Sequence, residues 1–249
     1  MRGLAGKIAI VTGAAGGIGS AAVARLLAEG CRVVAVDLDE DDIVKACGEV
    51  DGDRFVAVAA DVSTPDGCAA YVKQAVHRFG AVHLFLNNAG IMGVRMPIVD
   101  MPVAEFDRII AVNLRGVFLG LQAVIRQMIA QGEGGAVVNT SSAGALRPYV
   151  NSAGYGTSKN GGISLTKVAA LENGSHGVRV NAVCPGSTAT PLLTAAFGAE
   201  GAEKSGDHLP LARVASPDEI AALMVYLLSD DASYQTGGVY TVDGGLMLT

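Results

Sequence analysis

The 249-residue chain has no tryptophan, and aromatic residues make up 5% of it. A core of useful size must therefore come from aliphatic side chains in close contact, not from rings. Charge is also scarce. Only 17% of residues are Asp, Glu, Lys or Arg, with 18 cations against 24 anions and a formal net charge of −6. There is no basic block, which argues against a nucleic-acid surface. Cys31, Cys47, Cys68 and Cys184 are scattered without a C-x-x-C pair, so free thiols in a reducing, cytoplasmic setting are expected. His77, His83, His176 and His208 show no ligand spacing, so no metal is expected. No run of about 18 uncharged apolar residues marks a membrane span. The first apolar stretch passes straight into a glycine loop, unlike a signal peptide.

Half of the residues are hydrophobic, and 33 are glycines without a repeat period. Short β-branched runs alternate with longer helical patterns. Strands are predicted at 7–12, 32–37, 55–60, 82–87, 136–140, 178–183 and 238–242. Each is nearly continuously apolar, as strands covered on both faces must be. Helices are predicted at 17–29, 65–79, 103–130, 153–172 and 216–229, with start signals at Pro65-Asp66 and S-P-D-E (216–219). The alternation predicts one α/β domain over 1–249, a Rossmann-type doubly wound sheet of seven parallel strands with helices on both faces. No linker or repeat interrupts it. The stretch 187–210 reads as a long substrate loop, and the acidic residues Asp39, Asp41 and Asp42 as a solvated face.

Three features carry chemistry. The first strand runs into T-G-A-A-G-G-I-G (12–19), where Gly13, Gly17 and Gly19 let backbone N–H groups approach a pyrophosphate at a helix N-terminus. Asp37 ends the second strand, where a carboxylate accepts from a ribose hydroxyl. No cation stands in the loop or in L-D-E-D-D after the strand, so NAD is expected over NADP. Tyr155 and Lys159 lie one helical turn apart, on one face. A cation about 4 Å from a phenol at an effective dielectric near 20 contributes roughly 4 kcal/mol, enough to bring a pKa near 10 toward neutrality. The pair therefore reads as a tuned general acid/base.

These motifs together resemble the short-chain dehydrogenase/reductase (SDR) family, over nearly the whole chain. The loop from Gly13 through Gly17, Ile18 and Gly19 matches the family's cofactor loop. Asp61-Val62 resembles the pair that meets the adenine. N-N-A-G (87–90) resembles the fourth-strand motif, giving Asn88, Ala89 and Gly90. Asn113 in V-N-L-R-G, Ser142, Tyr155 and Lys159 match the catalytic set, with Ser142 at the family's 13-residue separation from Tyr155 and Ser141 as its competitor. Pro185, Gly186, Thr188 and Thr190 resemble P-G-x-[IV]-x-T, with Thr where Ile or Val is usual. D-G-G (243–245) resembles the C-terminal signature. The resemblance implies hydride exchange between NAD(H) and a secondary alcohol or ketone. Tyr155 would move the proton and Ser142 would hold the substrate oxygen. Lys159 would also bind the nicotinamide ribose, and Asn113 would hold a relay water. It also implies a homotetramer through 103–130, 153–172 and the C-terminal strand region.

Other readings stay open at this point. They are a catalytically idle NAD(H)-binding regulator and a 3-oxoacyl thioester reductase; a methyltransferase does not explain Y-x-x-x-K. Residues expected near the substrate are Met92, Val94, Arg95, Ala143, Gly144, Tyr149, Ser187, Leu192, Leu193 and Phe197, mostly small or apolar. Arg95 and Arg147 either receive an anionic substrate group or pair locally at the surface. Gly161 and Gly162 in a helix cost up to about 1 kcal/mol each relative to Ala, unless close packing repays it.

Overall fold

The computed structural model describes residues 1–48, 50 and 52–249. Seven strands form one sheet in the order β3-β2-β1-β4-β5-β6-β7. They are β1 (Ile8–Thr12), β2 (Arg32–Asp37), β3 (Phe55–Ala59), β4 (Leu84–Asn87), β5 (Gly135–Thr140), β6 (Val178–Pro185) and β7 (Val239–Val242). Every neighbouring pair is parallel, for example Val11 opposite both Ala35 and Leu86. The order reverses between β1 and β4, which opens a crevice at the carboxyl ends of those strands.

Helices cover both faces. On one side α1 (Gly17–Ala28), α2 (Glu40–Cys47) and α9 (Pro217–Leu228) bury Leu26, Ile43, Met224 and Leu227 against β1 and β2. On the other side lie α3 (Pro65–Phe79), α5 (Gly116–Gln131) and α7 (Ala153–Asn173). They enclose Tyr71, Phe85, Val124 and Met128. α4 (Val103–Ile110) runs into α5 through a π turn at Ala111–Arg115. α6 (Ala143–Leu146) and α8 (Pro191–Lys204) lie over the strand ends. The expected starts hold: Thr64 caps α3 through Gly67 N–H, and Ser216 with Glu219 forms a capping box on α9.

One expectation changes. The 187–210 stretch is mostly helix, α8, kinked at Gly198 (φ 72°, ψ 168°). Thr190 caps it and Pro191 fills its first turn, signals that its weak apolar pattern conceals. The acidic residues Asp39, Asp41 and Asp42 are exposed, as expected of a solvated face, and they open helix α2, where Asp39 is the cap accepting from the Asp41 and Asp42 N–H groups. The span Val103–Gln131 is long and apolar enough to cross a membrane by length and composition. Half of its most apolar window is nevertheless buried inside the fold, as in a core helix.

Candidate active site

The carboxyl ends of the strands open into a cleft of about 820 Å³. Its floor is the glycine loop. Gly13 takes φ 69°, and a Cβ there would lie 2.9 Å from the Ala89 backbone. At Gly17 a Cβ would meet the Thr190 methyl at 2.9 Å, and at Gly90 it would meet Lys159 Nζ at 2.9 Å. These glycines keep the floor clear. Gly19 is different: it lies outside the cleft lining and packs its Cα against the Gly13 carbonyl. Its requirement is contact between helix and loop.

Buried polar side chains fix the loop. Thr12 Oγ1, wholly buried, accepts from the N–H groups of Asn88 (2.9 Å) and Ala89 (3.1 Å). Asn88 Nδ2 donates to the Thr12 carbonyl at 3.1 Å, while its Oδ1 accepts from Thr140 Oγ1 at 3.0 Å. The ends of β1, β4 and β5 are thereby tied together. Sequence reasoning missed Thr12 and Thr140 in this role. A hydroxyl closing an apolar strand, as Thr12 closes β1, is the signal that could have found the first of them. Asp37 lines the cleft, accepting from Ala15 N–H (3.0 Å) and Leu38 N–H (2.9 Å). Asp61 accepts from Ser63 N–H and Oγ, and Val62 is buried beside it.

Tyr155 and Lys159 project from α7 into the same cleft. Lys159 is 4% exposed, and its Nζ donates to the Thr140 carbonyl at 2.9 Å. Burial pulls its pKa down to about 8. Burial pushes the Tyr155 phenol up, while a hydrogen bond from Ser142 opposes that rise. Burial therefore opposes the phenolate in the free protein. Nζ lies 6.0 Å from the Tyr155 ring centroid. Below pH 8 the amine is charged, and a cation beside the phenol favours its ionised form.

The serine pair divides cleanly. Ser141 Oγ is buried and donates to the Lys159 carbonyl at 2.9 Å. Ser142 is the one near the phenol, and it accepts from Gly144 N–H at 3.0 Å. Asn113 sits in the π turn, fully buried and outside the cleft lining. Its Oδ1 accepts from Ile91 N–H and its Nδ2 donates to the Ile91 carbonyl, both at 2.8 Å, and to Ser158 Oγ at 3.2 Å. Both amide hydrogens are occupied, so the side chain clamps the segment after Gly90.

A family model described as enoyl-(acyl carrier protein) reductase matches residues 13–247. The levodione reductase of Leifsonia aquatica is 38% identical over 96% of this chain and 93% of its own. The cyclohexanol dehydrogenase of Acinetobacter sp. (strain SE19) is 40% identical over 96% of this chain and 94% of its own. The crystal structure of a 3-ketoacyl-(acyl-carrier-protein) reductase from Brucella melitensis complexed with NADH superposes with a TM-score of 0.91 at 38% identity, covering 97% of this chain and 98% of that one. The chain belongs to the short-chain dehydrogenase/reductase family. It is an oxidoreductase.

In this SDR the residues fit a dinucleotide. The N-terminus of α1 opens on the cleft with no side-chain cap and no acid in its first turn, leaving N–H groups for a pyrophosphate. Pro185, Gly186, Thr188 and Thr190 line the cleft above β6. Thr188 bridges Ala215 through the Ala189 N–H and the Ser187 carbonyl, so its own N–H takes no part in the bridge. Of the residues expected near the substrate, all but Val94 line the cleft. Ser152, Lys204, Ser205, His208 and Leu246 join them; they come from the cap of α7, the end of α8 and the turn after it, and the C-terminal turn, which sequence could not place. Arg147 donates to the Leu246 carbonyl and Thr249 Oγ1, so it ties down the C-terminal end. Among the described residues no group of three His, Cys, Asp or Glu could hold a metal.

Proposed function

We propose that this SDR exchanges hydride between NAD(H) and a secondary alcohol or ketone of modest size and largely apolar body. The observation that carries it is the convergence of Tyr155, Ser142 and Lys159 in the cleft above the glycine loop. NAD(H) supplies or accepts the hydride and, when oxidised, adds a positive ring. Tyr155 gives its proton to the forming alkoxide in reduction, or takes it in oxidation. Ser142 donates to the substrate oxygen as charge develops. Charged Lys159 favours the phenolate and is a donor for the nicotinamide ribose. Asn113 holds the Ile91 backbone and, by one free lone pair, a relay water.

Asp37 supports NAD over NADP. Its oxygens already face N–H donors and can each accept once more, whereas a 2′-phosphate about 4 Å away is repelled by roughly 4 kcal/mol at an effective dielectric near 20, less with screening. A 3-oxoacyl thioester is the second substrate class, favoured by the matched family description and the Brucella relative's name. A single domain, a homotetramer and a cytoplasmic location complete the reading; the four unpaired cysteines support the last.

The test is initial rates on a panel of cyclic ketones, alcohols and acyl thioesters, with NADH and NADPH. The expected result is NADH-dependent turnover, at least about 10²-fold better in kcat/KM than with NADPH. Tyr155→Phe should bind NADH normally and lose about 10² to 10⁴ in turnover. NADH binding without turnover across the panel would support the idle regulator instead.

A further inference from the structure

The cleft is electrically polarised. Among the described residues that line it, the carboxylates are Asp37 and Asp61, at the β2–β3 side. On the side of α4 and α8 stand Arg95, Arg108 and Lys204, with His208. Two of these cations are neutralised by their own helices: Arg108 forks onto Glu105 at 2.9 Å, and Lys204 pairs with Glu200 at 2.6 Å. Arg95 is not. Among the described residues none of its N–H groups has a hydrogen-bond acceptor and no carboxylate pairs with it. Its contact is with the Phe197 ring, over which the guanidinium carbon lies 4.5 Å from the centroid.

A ring contact of this kind leaves the N–H edge of a guanidinium available. That edge belongs to a partly buried cation in a cleft whose lining, beside His208 and the paired Arg108 and Lys204, includes the apolar Met92, Leu192, Leu193 and Leu246. A planar fork of this kind matches a carboxylate bidentately. We propose that Arg95 binds a carboxylate on the substrate, so that the preferred substrates are oxo acids and hydroxy acids with a compact apolar body. The proposal rests on the hydride-transfer reading above and names its substrate class. Arg95 is here a specificity residue, and Phe197 positions it.

The test is titration calorimetry on NADH-loaded protein with cyclohexanecarboxylate and its neutral methyl ester. Wild type is expected to bind the carboxylate at least about tenfold more tightly than Arg95→Met, which keeps an unbranched chain against Phe197. The ester should change by less than about threefold, and Arg95→Lys should recover part of the carboxylate affinity. NADH affinity in each variant reports that the fold is kept. Equal carboxylate affinity in wild type and Arg95→Met, parallel losses for acid and ester, or no millimolar binding to wild type would each overturn the proposal. The readout needs no turnover, so failure of the hydride-transfer reading shows separately, as NADH bound without reduction of any ketone.

Discussion

Lys159 is the residue whose placement costs most. Its amine is enclosed, with the Thr140 carbonyl as its hydrogen-bond partner, and its pKa falls from an ordinary 10.5 to about 8. The folded value lies below the unfolded one, so the unfolded chain holds more protons between about pH 8 and 10.5. Stability from this group therefore rises with pH across that window, and the cost is fully present below it. Between pH 7.5 and 9.5 the gain is about 2 kcal/mol. Lys159→Met removes the titration while leaving the other groups in place. Denaturant melts at the two pH values should show wild type gaining about 2 kcal/mol relative to the variant. A constant difference would mean that the amine is not desolvated. The variant should also lose turnover, since the same charge serves the phenolate.

The strands were readable because burial on both faces leaves no polar alternation to misread. β2 falls on its expected bounds and the other ends shift by one or two residues. Site residues that follow strand ends, such as Asp37, Ser142 and Pro185, were readable for the same reason: the topology brings those ends together. Contacts made across long sequence separations were not. Arg147 meeting Thr249, and Asn113 clamping Ile91, depend on packing that no local pattern encodes. Within α7, Gly161 approaches Leu114, where a Cβ would lie 2.8 Å from Cδ1, while Gly162 faces open space. Close packing thus accounts for only one of the two glycines. α8 escaped because Ala202 is its only fully buried residue among those described, so it shows no apolar stripe. Its kink is the informative feature. Gly198 holds a backbone region essentially closed to other residues, at about 1–3 kcal/mol for an intruder, yet a Cβ there would touch nothing within 4 Å. Gly198→Ala should therefore relieve its strain by straightening α8, not by unfolding the chain. That motion displaces Leu192, Leu193 and Phe197. KM for the ketone should rise about three- to tenfold, with the melting temperature lowered by less than about 4 °C. A larger loss of melting temperature with KM unchanged would mean that the rest of the fold holds the kink.

The outer faces of α5 and α7 bear apolar residues that one chain leaves in water. Phe118 and Ile129 stand on α5, and Val168 and Leu171 on α7, with Leu171 86% exposed. Single exposed apolar residues are ordinary; four on these two helices support the assembly proposed above. The small net charge of −6 over 249 residues opposes association only weakly. A second candidate surface is the C-terminal end, where Leu248 is exposed and Arg147 ties down Leu246 and Thr249. Two separate surfaces, each pairing with its own copy about a twofold axis, close into a tetramer and stop. Light scattering at micromolar concentration should therefore give four times the mass of one chain. In a twofold interface every substitution appears twice, so Leu171→Glu places two carboxylates against apolar surface at one contact. That variant should fall to a dimer held by the C-terminal surface. The melting temperature of wild type should rise with protein concentration, because assembly adds to stability by mass action, and this dependence should weaken in Leu171→Glu. A single-chain mass for wild type, or a tetramer undisturbed by Leu171→Glu, would show that the α5–α7 face remains in water.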